Sequence, residues 1–152
     1  MAMVGVVIGS KTDEPYIQHA LKILEEFKID YELSIVSAHR KPEKVRQYAI
    51  EAKAKGFLII IAAAGSAAHL PGVIASWTTL PVIGVPLPTS ELKGVDSLYS
   101  IVQMPGGVPV ACVGIGASGA KNAALLAAQI LGIKYENIHR TFEEYKTKLA
   151  ES

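Results

Sequence analysis

Three short polar clusters follow apolar runs and carry the side chains best suited to chemistry: Ser10 and Asp13, then Ser37, His39 and Arg40, then Ser66 and His69. An unperturbed imidazole titrates near pH 6.5, so it can give and take a proton near neutrality. His39, in the run Ser37-Ala38-His39-Arg40-Lys41-Pro42, is the first choice for proton transfer. Its plainer role is to bond a loop carbonyl. His69 carries the same ambiguity, and the plainer role weighs more there because Leu70 and Pro71 can fold it back on its loop. Arg40, at a helix start, could hold a phosphate by its fixed fork of donors together with free backbone N–H groups. The alternative is a surface ion pair worth at most about 1 kcal/mol, and position alone balances the two. Asp13 could accept from sugar hydroxyls, and with Thr12 it also suits a helix cap. Ser10, after a glycine, is either a phosphate donor or a turn former. His19 and His139 lie within helical patterns and are assigned no chemistry.

These clusters need a scaffold that brings them to one place. Val4 to Ile8 is a short β-branched run, closed by Gly9 and Ser10 and followed by Ile17, Leu21, Leu24 and Phe27 at helical spacing. Tyr31 to Val36 reads as a second strand, with Val45, Ala49 and Ala52 on the next helix, which stops at Gly56. Phe57 to Ala63 is a continuous apolar run too short for a buried helix, as expected of a central strand covered on both faces. It ends in Gly65 and small residues, and a helix of about three turns then reaches Trp77. Pro81 to Val85 and Val108 to Gly114 are the last two strands, with helices around 96–103, from Gly119 to Leu131, and from Tyr135 to Ala150. The alternation predicts an α/β chain: a five-stranded parallel sheet with helices on both faces in a flavodoxin-like three-layer sandwich. In a parallel sheet the first three loops open on one edge, over the crevice where such folds bind ligands.

Other readings find no support. Gly114 to Gly119 fits a dinucleotide fingerprint, but no further strand with an acidic residue about twenty positions on follows it. There is no Walker loop, no paired-cysteine or His-Glu-x-x-His metal spacing, and no Gly-x-Ser-x-Gly elbow. A phospho-accepting receiver would need an aspartate where Ala63, Ala64 and Gly65 stand. The length of 152 residues and 50% apolar composition suit one domain, 1–152. A net charge of +1 leaves no footprint for nucleic acid or an anionic membrane, so a small partner is expected. Cys112, the lone cysteine, lies in an apolar run and reads as a buried core thiol in a reducing cytoplasm. No signal peptide is expected, and no apolar stretch approaches the ~20 residues that span a bilayer. The Ala120 to Leu131 helix is apolar almost all round, which points to burial against a neighbouring chain in a homo-oligomer. The last helix has a stripe of Ile138, Phe142, Tyr145 and Leu149 for docking on its own core or on another subunit.

Taken as a set, Gly9 to Asp13, Ser37 to Arg40, Ala67 to Gly72, Gly84 to Pro86, Gly94 to Pro105 and Asn122 to Leu131 closely resemble the N5-carboxyaminoimidazole ribonucleotide mutases of purine biosynthesis. The resemblance covers nearly the whole chain in family order. It implies a flavodoxin-like subunit of an octamer, acting without metal or cofactor on a phosphoribosyl aminoimidazole, with functional coupling to the ATP-dependent synthetase that makes the substrate. By position, His39 matches the family's proton-transfer histidine, and Ser10, Asp13 and Arg40 match its ribonucleotide-binding residues. Ser37 and Gly65 fall in motifs that line the same pocket, and His69 is carried over only as a pocket residue. Ala63 and Ser66 stand where the family often has glycine, Trp77 replaces a frequent lysine, and Ser118 falls where a Lys-Ala-Gly run is common. A second branch, which carboxylates aminoimidazole ribonucleotide with free carbon dioxide, resembles this chain less: it typically has lysine where Arg40 stands and lacks the Ala67 to Gly72 run. Two readings from other classes are a non-catalytic flavin- or nucleotide-binding module and a purely structural oligomer. The loops lack an aromatic pair for flavin stacking, and a structural role leaves the polar clusters unexplained.

Overall fold

The computed structural model describes residues 3–152. Five parallel strands, β1 (Val4–Ile8), β2 (Tyr31–Ile35), β3 (Ile59–Gly65), β4 (Val82–Leu87) and β5 (Ala111–Cys112), form one sheet in the order β2-β1-β3-β4-β5. The helices are α1 (Glu14–Glu26), α2 (Pro42–Glu51), α3 (Leu70–Trp77), α4 (Val95–Val102), α5 (Gly116–Gly132) and α6 (Glu136–Glu151). This is the flavodoxin-like arrangement expected from the alternating pattern, with its topological switch between β1 and β3.

Alternation along the central strands divides the core in two. Val4, Val6 and Ile8 of β1 and Ile59, Ile61 and Ala63 of β3 face α1 and α5. Val7, Ile60, Ala62 and Ala64 face α2 and α3. Gly5 is forced by this second layer: a Cβ there would lie 2.5 Å from Tyr48 Oη and 2.7 Å from Phe57 Cδ2.

Several boundaries move for local reasons. β3 starts two residues later than its apolar run because the Phe57 N–H closes the preceding turn on Ala52 O at 3.1 Å. α3 has eight residues, about two turns rather than three, since Thr78 goes extended (φ −129°, ψ 153°) and its Oγ1 accepts from the Leu80 N–H. β5 shrinks to two residues between Pro109, which has no N–H for a ladder, and Gly114, whose φ of +135° turns the chain. α5 begins at Gly116, and Gly119 packs so tightly that a Cβ on it would sit 2.0 Å from Gly114 O. The glycines of the dinucleotide-like run therefore serve a close helix–loop contact, and among the described residues no strand follows β5.

The apolar face of α5 is covered within its own subunit and needs no neighbouring chain to bury it. Ala120, Ala123, Ala124, Ala127, Ala128 and Leu131 are buried within the subunit, because the sheet, α1 and α6 enclose them. α6 docks on its own core: Ile138 is buried, and Phe142 and Tyr145 lie at 6.0 and 5.9 Å from the Phe27 ring. Leu149, the last residue of the expected stripe, stays exposed. Among the described residues no helix is long and apolar enough to cross a membrane. Cys112 is only partly buried, on the short edge strand.

Candidate active site

The loops after β1, β2 and β3 meet over the C-terminal edge of the sheet and enclose a cleft of about 330 Å³. Its walls include Ser10, Asp13, Ser37, His39, Arg40, Gly65 and His69, so every residue singled out for a site from sequence is brought to one place. Ser66 and Thr12 line it as well, and so do Ala64, Leu70 and Thr89. A second hollow of about 260 Å³ shares Gly9, Ser10, Ser37 and Arg40 and adds Lys11 and Lys41.

The first loop is built by reciprocal caps. Ser10 Oγ accepts from the Thr12 N–H at 3.4 Å, while Asp13 Oδ2 accepts from the Ser10 N–H at 3.1 Å. This capping box closes a single 3-10 turn over Lys11–Asp13, from which α1 starts with Pro15 in its first turn. Asp13 makes no side-chain cap bond to α1 itself. Its carboxyl is buried, and this loss of hydration pushes its pKa above the ordinary value despite the opposing backbone N–H groups of Ser10 and Gly9.

In the second loop, Ser37 Oγ accepts from both the Arg40 N–H, at 3.3 Å, and Arg40 Nε, at 3.2 Å. The hydroxyl thus sets the course of the guanidinium. Among the described residues no carboxylate pairs with Arg40, so the surface ion pair that competed with phosphate binding is absent.

His39 meets His69 across the cleft. Nε2 of His39 lies 2.6 Å from Nδ1 of His69, with the rings at 88° and their centroids 4.7 Å apart. A contact of that length needs one proton between the two nitrogens, and which ring carries it is set by tautomer. His69 is therefore not folded back on its own loop by Leu70 and Pro71. It is the N-cap position of α3, facing the second loop.

The third loop explains two small-residue positions. A Cβ on Gly65 would fall 1.7 Å from Thr89 Oγ1, so only glycine allows the β4–α4 loop to approach the cleft wall. Ser66 adopts φ +53°, the left-handed region that costs a non-glycine residue of order 1 kcal/mol.

A family model described as AIR carboxylase matches residues 3–152. The chain belongs to the AIR carboxylase family. It is 59% identical over 149 residues to the N5-carboxyaminoimidazole ribonucleotide mutase of Thermotoga maritima, covering 98% of this chain and 86% of that protein. The mutase of the same name from Pseudomonas aeruginosa is 52% identical over 151 residues, covering 99% and 93%. Among solved structures, Treponema denticola PurE superposes with a TM-score of 0.88 at 29% identity, covering 99% of this chain and 93% of that one.

In this member of the AIR carboxylase family, Thr89 brings to the cleft a hydroxyl that no sequence motif signals. Thr89 follows Pro86, Leu87 and Pro88 just beyond the end of β4. The usable signal was positional: in a parallel sheet the loop after the fourth strand opens on the same edge as the first three.

Proposed function

We propose that the chain is an N5-carboxyaminoimidazole ribonucleotide mutase, an isomerase of purine biosynthesis that moves a carboxyl group from an exocyclic nitrogen to a ring carbon. The observation that carries the reading is the meeting of His39 and His69 above a cleft whose neighbouring wall presents the unpaired guanidinium of Arg40. A phosphorylated, nitrogen-rich substrate needs both an anion anchor and a proton carrier, and this edge holds one of each.

The chemistry balances with the groups present. The carbamate N–C bond breaks, its electron pair stays on nitrogen, and that nitrogen takes a proton as carbon dioxide is released. The adjacent enamine-like ring carbon attacks carbon dioxide to form the new C–C bond, and the same carbon then loses its proton. One proton is consumed and one returned, so a single imidazole serves both steps. In this reading His39 is that group, Arg40 and Ser10 hold the phosphate, and Asp13 accepts from the sugar. Ser37 orients Arg40, while Gly65 and His69 complete the wall. Ala64 and Gly65 keep the released gas beside the ring carbon, an effective concentration that free solution lacks.

The same reading takes the chain as one domain working as a homo-octamer in the cytoplasm, without metal or cofactor, next to the ATP-dependent synthetase that makes its substrate. Exposed Leu92, together with Val95, Tyr99 and Val102 on one side of α4, supports association of copies. The deciding experiment supplies aminoimidazole ribonucleotide with bicarbonate in one reaction and the N5-carboxylated nucleotide in another. Rapid conversion of the second alone is expected. Preference for the first would make the chain a carboxylase that uses free carbon dioxide.

A further inference from the structure

We propose that Thr89 is a substrate-positioning residue whose hydroxyl donates a hydrogen bond to the migrating carboxyl group and holds the carbon dioxide it becomes against the wall formed by Ala64 and Gly65. The inference rests on the mutase reading and adds a residue and a task to it.

The geometry starts from register. Ala64 pairs with Pro86 and Gly65 with Leu87, so Thr89 lies just beyond the point where β3 and β4 part. There it leans on a position without a side chain: a Cβ on Gly65 would meet Thr89 Oγ1 at 1.7 Å and Thr89 Cβ at 3.1 Å. Gly65 and Thr89 thus form a unit in which the missing methyl makes room for the hydroxyl. Anchors on both sides hold the loop in place. Ser97 Oγ donates to Leu87 O at 2.9 Å, and Ser90 Oγ donates to Asp96 Oδ2 at 2.6 Å while accepting from the Leu92 N–H.

The hydroxyl inventory of the cleft narrows the choice. Thr12 Oγ1 donates to Ser10 Oγ, which also accepts from the Thr12 N–H, and Ser37 Oγ accepts from Arg40. In these bonds Ser10 and Ser37 only accept, so each keeps an O–H to donate from the first or second loop, while among the described residues Ser66 and Thr89 are the lining hydroxyls with no protein partner. Thr89 is the one pressed against Gly65. Carbon dioxide has no charge for Arg40 to hold, and it gains negative charge on oxygen only as the ring carbon attacks. A donor fixed beside its oxygens favours that step and keeps the gas from escaping.

The test uses the full chain with Thr89→Val, which keeps the shape and removes the hydroxyl, Thr89→Ser, which keeps the hydroxyl, and Ser66→Ala as a comparison. Two quantities are read: the partition of N5-carboxyaminoimidazole ribonucleotide between carboxylated product and free aminoimidazole ribonucleotide, and the affinity for the carboxylated product against aminoimidazole ribonucleotide by calorimetry. Thr89→Val should lower kcat/KM roughly 10- to 100-fold, the effect of one hydrogen bond to a charged group. It should also divert turnover to the decarboxylated nucleotide and narrow the affinity gap between the two ligands. Thr89→Ser and Ser66→Ala should keep the wild-type partition. Wild-type partition and affinity gap in Thr89→Val, or a leak that appears in Ser66→Ala instead, would overturn the role of Thr89 and leave the mutase reading intact. A wild-type chain that neither binds nor converts these nucleotides would overturn both.

Discussion

At the scale of single residues, His39, Arg40 and Asp13 each make a separable claim. General acid–base catalysis contributes about 10²- to 10⁴-fold, so His39→Asn should lower kcat by at least that order and leave nucleotide affinity within a few-fold of wild type. Single-turnover kinetics with parallel calorimetry measures both, and near-normal turnover would remove His39 from the mechanism. Arg40→Ala should weaken phosphorylated ligands selectively. Equal affinity of wild type for a nucleotide and its dephosphorylated nucleoside would show that the guanidinium anchors nothing. Asp13 predicts a pH effect. Burial raises its folded pKa above the unfolded value, so its ionisation opposes folding: stability is greatest below the unfolded pKa of about 3.9 and falls as pH rises through the folded pKa. Asp13→Asn, whose amide oxygen can still accept from Ser10, removes that fall. Its Tm should exceed wild type at pH 7 and converge with it below about pH 4, while affinity for the ribose-bearing ligand drops.

At the scale of elements, Tyr48 of α2 and Phe57 press on Gly5 of β1, leaving no room for a Cβ there. Tyr48 Oη is buried with no hydrogen-bond partner among the described residues, and burial pushes its pKa up. An unsatisfied buried hydroxyl costs about 1–3 kcal/mol, so Tyr48→Phe should be neutral or stabilising by about 1 kcal/mol in urea unfolding. Gly5→Ala should destabilise by about 1–3 kcal/mol in either background, because the added methyl also strikes the Phe57 ring. A neutral Gly5→Ala would mean that β1 and α2 pack more loosely than these distances state. Most of these elements were legible in the chain. Apolar runs closed by glycine and serine marked the strands, and apolar residues at helical spacing marked the helices. Less legible were the true ends of β3, α3 and β5, because hydrogen bonds from Phe57 and to Thr78, and the missing donor of Pro109, decided them locally.

For the molecule as a whole, α6 covers α5 and closes the aromatic cluster with Phe27. Phe142→Ala, at a partly buried ring, should cost about 1–3 kcal/mol and lower Tm by roughly 2–4 °C per kcal/mol. Unfolding followed by circular dichroism measures it, and an unchanged Tm would show that α6 docks without contributing to the core. The same helix corrects the reading of α5: a sequence can show that a helix is apolar all round, but not that a later helix covers it.

The order of strand and helix, the identity of the central strand and the edge that carries the polar loops were all determined by the sequence, because each depends on periodicity and punctuation within about a dozen residues. The resemblance of its motifs extended that to a family and a reaction. Only the tertiary structure decided that His39 and His69, thirty positions apart, lie within hydrogen-bonding distance, that among the described residues no carboxylate pairs with Arg40, and that Gly65 is small for the sake of Thr89. Those facts depend on register between strands and on the volume of side chains distant in sequence. No local pattern encodes either, because they are settled only when the layers close on one another.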